Sequence, residues 1–189
     1  MKFRNEQEKL SYNNLVIFYE IAKEYINPLI IDGGSLLGAY RDKGFCEDDW
    51  DDVDLTTFIE KWDRYPRMTK KLEEKGFQVY HIWDFGGDTT PQISYKKDGC
   101  KIDLMFKNFK GDKAWWTIFS GSTPTYKSID ARFYKELEDI KFGDLTFKRP
   151  KDIDNYLKTR YEVWNKPVHR KDYSCYTSDK CIKKSYEEI

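Results

Sequence analysis

Between residues 47 and 54 the chain reads Glu47–Asp48–Asp49–Trp50–Asp51–Asp52–Val53–Asp54, six carboxylates in eight residues. Like charges at this density repel, and burying several of them uncompensated is very costly. Water or a divalent cation must therefore satisfy them. A solvated acidic loop is the simplest arrangement, but the run leads straight into the apolar stretch Val53 to Ile59, which reads as a strand. Residues two apart on a strand share a face, with about 7 Å between their Cα atoms. Asp52 and Asp54 can thus converge on Mg²⁺, or on two metal ions. A further isolated acid, Asp103, interrupts the apolar stretch Lys101 to Phe106, although strand interiors disfavour Asp. If the two strands are neighbours, Asp103 completes a three-carboxylate cluster. An EF-hand is excluded, because the required glycine does not follow the third ligand position: Thr57 comes after Asp52, Asp54 and Thr56.

The rest of the chain alternates helical and extended patterns. Leu10, Leu15, Phe18, Ile21, Ala22 and Tyr25 recur mostly at three- and four-residue steps and predict a helix over Phe3 to Tyr25, ended by Asn27–Pro28. A short strand, Leu29 to Ile31, precedes the turn Asp32–Gly33–Gly34–Ser35 and a helix from Leu36 to about Arg41. Helix Lys61 to Lys75 is closed by Gly76. Strands follow at Phe77 to Trp83, Gln92 to Tyr95 and Lys101 to Phe106. Asp98–Gly99 gives a hairpin signal between the last two. Later signals are a strand at Ala114 to Phe119, a short helix at Ala131 to Leu137, a hairpin turning at Gly143–Asp144, and a helix from Ile153 to Trp164. The mixture predicts an α+β (mixed α/β) fold with a mixed sheet flanked by helices. Residues 1–166 read as one catalytic domain and 167–189 as a tail or wrapping segment.

Composition narrows the function classes. The 189 residues suit one compact domain. Lys and Arg together number 33 and so do Asp and Glu, so the net charge is zero, which argues against a nucleic-acid coat. Lys70–Lys71 and Lys183–Lys184 read as solvated faces. Aromatic residues reach 17%. Trp83, Tyr95, Trp115 and Trp116 are candidates for stacking on a base or sugar, with core packing as the simpler reading of each. The N-terminus lacks the apolar core of a secretory signal, and no run approaches the roughly 18 apolar residues of a membrane span. Cys46, Cys100, Cys175 and Cys181 are scattered without a C-x-x-C pair, and His169 with Cys175 and Cys181 would make only a partial metal site. These features predict a cytoplasmic protein with reduced thiols.

The stretch Asp32–Gly33–Gly34–Ser35 lies between a strand and a helix. Its glycines permit close approach of backbone to a ligand, and helix-start N–H groups favour anions. Gly33, Gly34 and Ser35 can therefore cradle phosphate, although neither a Walker A loop nor G-x-G-x-x-G is present. A glycine turn on a helix, then Asp-x-Asp on a strand, then Asp on a later strand is the pattern of the nucleotidyltransferase fold. The match extends further. Gly34–Ser35–Leu36–Leu37–Gly38–Ala39–Tyr40–Arg41–Asp42–Lys43–Gly44–Phe45, followed by Trp50–Asp51–Asp52–Val53–Asp54–Leu55, closely resembles the LicD/fukutin family, whose members carry G-[ST]-L-L-G-x-x-R-x-x-[GD]-x before an acidic D-x-D strand. Lys101–Ile102–Asp103–Leu104 resembles the family's later Asp strand. Pro150, Leu157, Tyr161 and Trp164 resemble its closing segment. The chain departs at the acidic link Cys46–Glu47–Asp48–Asp49, and at Tyr161–Glu162 in place of Tyr-Gly.

The resemblance implies transfer of a substituted phosphate, such as phosphocholine or ribitol phosphate, from a CDP-linked donor to a glycan hydroxyl, with Mg²⁺ or Mn²⁺. It implies that Asp52 and Asp54 are metal ligands, that Asp103 is the third carboxylate, and that Gly34 and Ser35 contact phosphate. Arg41, about two helical turns after Ser35, could return to the phosphates or pair with Asp49 or Asp51. The same residues would also serve a nucleotidyltransferase moving NMP from an NTP to a small molecule, RNA or protein. A degenerate nucleotide-binding module is the non-enzymatic alternative.

Overall fold

The computed structural model describes residues 1–47, 49–120, 123–161, 163–167, 181–183 and 185–189. Helix α1, Glu6–Tyr25, starts at Asn5, whose side chain accepts the Glu8 N–H at 2.8 Å. Of the stripe expected from the sequence it buries Leu15, Phe18 and Ala22 and half-buries Ile21 and Tyr25, whereas Leu10 is exposed and the helix starts at Glu6 rather than Phe3. The Phe18 ring meets Phe77 and Tyr95 beneath it. β1, Ile30–Ile31, is fully buried. Helix α2 spans Gly33–Leu37 and runs into a π-helical turn, Gly38–Asp42. The expected glycine turn is therefore the first turn of a helix, closed by the Leu36 N–H on the Asp32 carbonyl at 2.8 Å.

β2, Asp52–Phe58, is followed by a 3₁₀ segment, Ile59–Arg64, and then α3, Tyr65–Glu73. Pro66 in the first turn of α3 explains why the α-helix begins later than the pattern from Lys61 suggested. Gly76, with φ +86°, closes α3 as expected. Strands β3 (Gln78–Trp83), β4 (Gln92–Lys97), β5 (Cys100–Lys110), β6 (Lys113–Ser120) and β7 (Thr123–Asp130) follow. Asp98 and Gly99 both have positive φ in the β4–β5 turn, as an Asp-Gly hairpin requires. The expected helix at 131–137 is a single 3₁₀ turn, Ala131–Tyr134. The chain then enters β8, Leu137–Phe142, and β9, Leu145–Pro150. Helix α4 spans Ile153–Arg160 and stops short of Trp164; β10, Ile182–Lys183, pairs with β7.

The described strands form one ten-stranded sheet in the order β10-β7-β6-β5-β2-β1-β9-β8, with β4 also on β5 and β3 on β4. The β2–β5 and β1–β9 pairs are parallel and the others antiparallel, so the fold is α+β with a mixed sheet. β5 is the spine. It pairs with β2 over Lys101–Lys107, with β4 over Cys100–Met105, and with β6 over Asn108–Lys110.

One buried carboxylate ties the layers together. Asp32, at the end of β1, is fully buried and forms an ion pair with the fully buried Lys107 of β5. It also accepts from Arg160 Nη1 at 3.1 Å and from the Tyr156 hydroxyl, both on α4. Burial raises a carboxyl pKa. Here the Arg160 and Lys107 charges outweigh it and hold Asp32 far below the ordinary 3.8. Lys107 shares this one carboxylate with Arg160, so burial wins for the ammonium and lowers its pKa to about 8. Removing Asp32 strands two buried cations. Asp32→Ala is expected to cost about 3–5 kcal/mol at neutral pH, a fall of roughly 10 °C in Tm. Thermal or urea denaturation checks it, and a loss below 1 kcal/mol contradicts the assignment.

Candidate active site

The parallel register of β2 and β5 sets Asp54 directly beside Asp103 and Asp52 beside Lys101. The three carboxylates expected from the sequence meet: ligand oxygens of Asp52, Asp54 and Asp103 lie within 4.8 Å of one another. Their surroundings fix them from several sides. The Gly34 N–H donates to Asp54 Oδ2 at 2.9 Å, and the Asp54 N–H donates to Ser35 Oγ at 2.9 Å. The Ser94 hydroxyl, across the β4–β5 pair, donates to Asp103 Oδ1. Lys101 Nζ lies 3.0 Å from both Asp52 Oδ2 and Asp103 Oδ2.

The glycines have a steric reason. Gly33 has φ +53°, and a Cβ there would overlap the Asp54 carboxylate. A Cβ at Gly34 would overlap the Asp49 carboxylate. Backbone without side chains lets the start of α2 lie against β2.

The electrostatics show an acid cluster short of positive charge. Burial, then Asp52 and Asp103, raise the Asp54 pKa well above the ordinary 3.8. Burial and Asp103 raise that of Asp52, against the opposing pull of Lys101. Burial works against the Lys101 ammonium, but Asp103 and Asp52 more than offset it and raise its pKa. One lysine among three carboxylates leaves a negative surplus. Asp52 Oδ1 is moreover buried with no hydrogen-bond partner. Hard oxygen donors in this number suit Mg²⁺ or Mn²⁺, so the residues present fit a divalent cation.

Arg41 follows α2, next to the Cys46 thiol that donates to the Gly34 carbonyl at 3.4 Å. Its guanidinium makes two 2.7 Å bonds to the Asp42 carboxylate and donates to the carbonyls of Trp164 at 3.3 Å and Lys166 at 3.0 Å. It also lines a cavity of about 600 Å³ with Arg4, Glu8 and Lys43, to which no triad residue contributes. Of the aromatic candidates, Tyr95, Trp115 and Trp116 are core residues, and Trp83 is half-buried. His169 and Cys175 lie outside the described residues. Cys181 is buried, and its thiol donates to the Thr159 carbonyl at 3.2 Å. No helix among the described residues is long and apolar enough to cross a membrane.

Sequence reasoning missed Lys101, Ser94 and the Asp32 network. Lys101 carried a usable signal, since it sits two residues before Asp103 and therefore on the same strand face. Ser94 follows from counting back through the Asp98–Gly99 hairpin. Nothing local marks Lys107 or Arg160, 75 and 128 residues from Asp32, as its partners.

A family model described as LicD/FKTN/FKRP, nucleotidyltransferase domain, matches residues 19–152. That span contains all three carboxylates and the start of α2. No curated protein matches the chain.

A raised carboxyl pKa in the fold means that the proton is bound more tightly there than in the unfolded chain. The stability it contributes is present below pH 3.8 and is lost as pH rises through the raised value. Asn cannot ionise, and its side-chain carbonyl can still accept the Gly34 N–H. In chelator, Asp54→Asn is expected to melt above wild type at pH 8, with the gap closing toward pH 4, and Mn²⁺ is expected to reverse the ranking. A variant that melts below wild type in chelator at pH 8 contradicts the repulsion argument.

Proposed function

The chain belongs to the LicD/FKTN/FKRP family, and from that premise of a LicD-type transferase we propose that it moves a substituted phosphate, such as phosphocholine or a polyol phosphate, from a CDP-linked donor to a glycan hydroxyl. The observation that carries this reading is the convergence of Asp52, Asp54 and Asp103 within 4.8 Å, with Asp54 packed against the glycine backbone that starts α2. Asp52 and Asp54 would hold a divalent cation, Mg²⁺ or Mn²⁺, with Asp103 closing the ligand set. When bound, the cation supplies electrostatic stabilisation of the charge that develops on the phosphate oxygens.

The remaining roles belong to the chain. Gly34 and Ser35 hold Asp54 by hydrogen bonds, and Gly33, without a side chain, lets its carboxylate lie against the start of α2. Ser94 and Lys101 fix both oxygens of Asp103. Asp103 then orients the acceptor hydroxyl and takes its proton as the oxygen attacks phosphorus. The new bond joins the acceptor oxygen to the phosphorus that bears the alcohol, and the bond from that phosphorus to the CMP oxygen breaks. Lys101 keeps positive charge beside Asp52 and Asp103 throughout. Arg41 clamps the chain at Trp164 and Lys166 over the turn that follows α2.

Nucleotidyl transfer from an NTP is the second reading, favoured by the description of the matching domain. The carboxylates serve either reaction, because both break a phosphoanhydride with the same parts; the orientation of the donor decides which phosphorus is attacked.

A thermal-shift panel with Mg²⁺ or Mn²⁺ and CDP-choline, CDP-ribitol, CTP, ATP, GTP or UTP separates the readings. A ligand at 100 times its Kd adds about 2.7 kcal/mol. A metal-dependent shift with a CDP-alcohol is expected, whereas a shift with an NTP alone overturns phosphotransfer in favour of nucleotidyl transfer. No shift with any nucleotide favours a binding module without activity. In the same assay Asp103→Asn is expected to retain the donor shift while turnover falls by about 10²–10⁴-fold; wild-type turnover removes Asp103 from the mechanism.

A further inference from the structure

The sheet face that carries the three carboxylates continues into a second group of charges. Asp103, Met105 and Lys107 alternate along β5 and share one face. Lys107 Nζ lies 4.4 Å from the centre of the Trp116 ring on β6, and the Arg160 guanidinium lies 4.8 Å from the same ring. Trp116 is the direct partner of Lys127 on β7. Directly paired strand residues face the same way, so Lys127 belongs to this face too.

Lys127 differs from its neighbours. It is half-buried, and among the described residues its ammonium makes no hydrogen bond or ion pair. Burial and then Arg160 lower its pKa to about 8, while Cys181, Asp32 and Asp54 act on it in the opposite direction. It is therefore a cation at neutral pH within the electrostatic reach of Asp54. Arg160 is only partly engaged. Its Nη1 serves Asp32 and Tyr156, and its Nε and Nη2 bond to no described residue. Among the described residues, Lys107 and Arg160 share one directly bonded carboxylate, Asp32, and Lys127 has none. Two positive charges remain uncompensated on a largely buried surface, an arrangement that favours an anion.

We infer that Lys127 and the Nε and Nη2 edge of Arg160 bind the diphosphate of the donor. A diphosphate diester carries two negative charges, equal to the surplus on this face. The carboxylates take the cation, and Lys127 with Arg160 takes the phosphates, so charge is balanced on both halves of one surface. After transfer the same groups retain the negative charge of the departing nucleoside monophosphate. The identity of the donor rests on the function proposed above, whereas the recognised chemistry, a diphosphate, does not.

The test is calorimetric titration of wild type, Lys127→Met and Lys127→Arg with inorganic pyrophosphate and with CDP-choline, both in Mg²⁺, alongside Mn²⁺ binding read by electron paramagnetic resonance. In Lys127→Met both phosphates are expected to bind about 10- to 100-fold more weakly, the loss of a charge-assisted hydrogen bond. Mn²⁺ affinity should stay unchanged, and Lys127→Arg should recover most of the loss. Equal pyrophosphate affinity in wild type and Lys127→Met, or no pyrophosphate binding by wild type, overturns the inference. Pyrophosphate binding that depends on Lys127, with no response to CDP-choline, leaves the diphosphate site standing and removes the proposed donor. A second measurement needs no variant: pyrophosphate with Mg²⁺ should protect Lys127 of the wild-type protein from acetylation, read by mass spectrometry, and an unprotected Lys127 contradicts the site.

Discussion

The parallel register of β2 on β5 is the constraint from which the site follows. It sets Asp54 beside Asp103 and Asp52 beside Lys101. A slip of one residue would turn Asp103 to the opposite face and replace it with Ile102 or Leu104. That slip would bury a carboxylate among the apolar residues on the other side, so the hydrophobic pattern of β5 enforces the register that builds the acid cluster. Val53, Leu55, Ile102 and Leu104 are all fully buried. The core-forming and chemistry-bearing halves of these strands are thus two faces of the same alternation.

Along that polar face the charges are sorted. Carboxylates gather where β2, β4 and β5 meet, with Lys101 ion-paired to two of them. Cations gather where β5, β6, β7 and α4 meet, with Asp32 as the shared carboxylate. Asp32 links the two regions. Its backbone N–H bonds to the Asp54 carbonyl at 3.0 Å while its side chain holds Lys107 and Arg160. Each region alone carries an electrostatic cost. A metal–diphosphate complex placed across both would relieve them together, which gives a physical reason for a protein of zero net charge to keep such segregated charges.

Much of this was legible in the sequence. The acidic run entering an apolar strand, Asp52-x-Asp54, and the isolated Asp103 identified the cluster because strand periodicity is a local property. The hairpins at Asp98–Gly99 and Gly143–Asp144 were legible because positive φ at a turn selects glycine and its neighbours. What escaped depends on distant pairing. β7 contains Pro124 and Lys127 and has no apolar alternation, yet it is a strand because β6 pairs along its whole length. α2 begins with two glycines, poor helix formers, whose place there has a steric reason outside the local sequence: any side chain would strike Asp54 or Asp49. Arg41 sits in the best-matched motif, and its partners include Asp42 and the carbonyls of Trp164 and Lys166, the latter two more than 120 residues on. Lys127 reads in sequence as one more surface lysine; only the sheet order brings it to the face of Asp54.

Asp52, Asp54 and Asp103 are proposed to hold a divalent cation together. The most direct measurement is a crystal structure grown with Mn²⁺, with anomalous data collected near the manganese edge. An anomalous peak is expected among the three carboxylates, coordinated by Asp52 Oδ1, the buried oxygen without a hydrogen-bond partner. A structure with Mn²⁺ present at saturating concentration, no peak among these residues and Lys101 still bridging Asp52 and Asp103 would contradict that proposal.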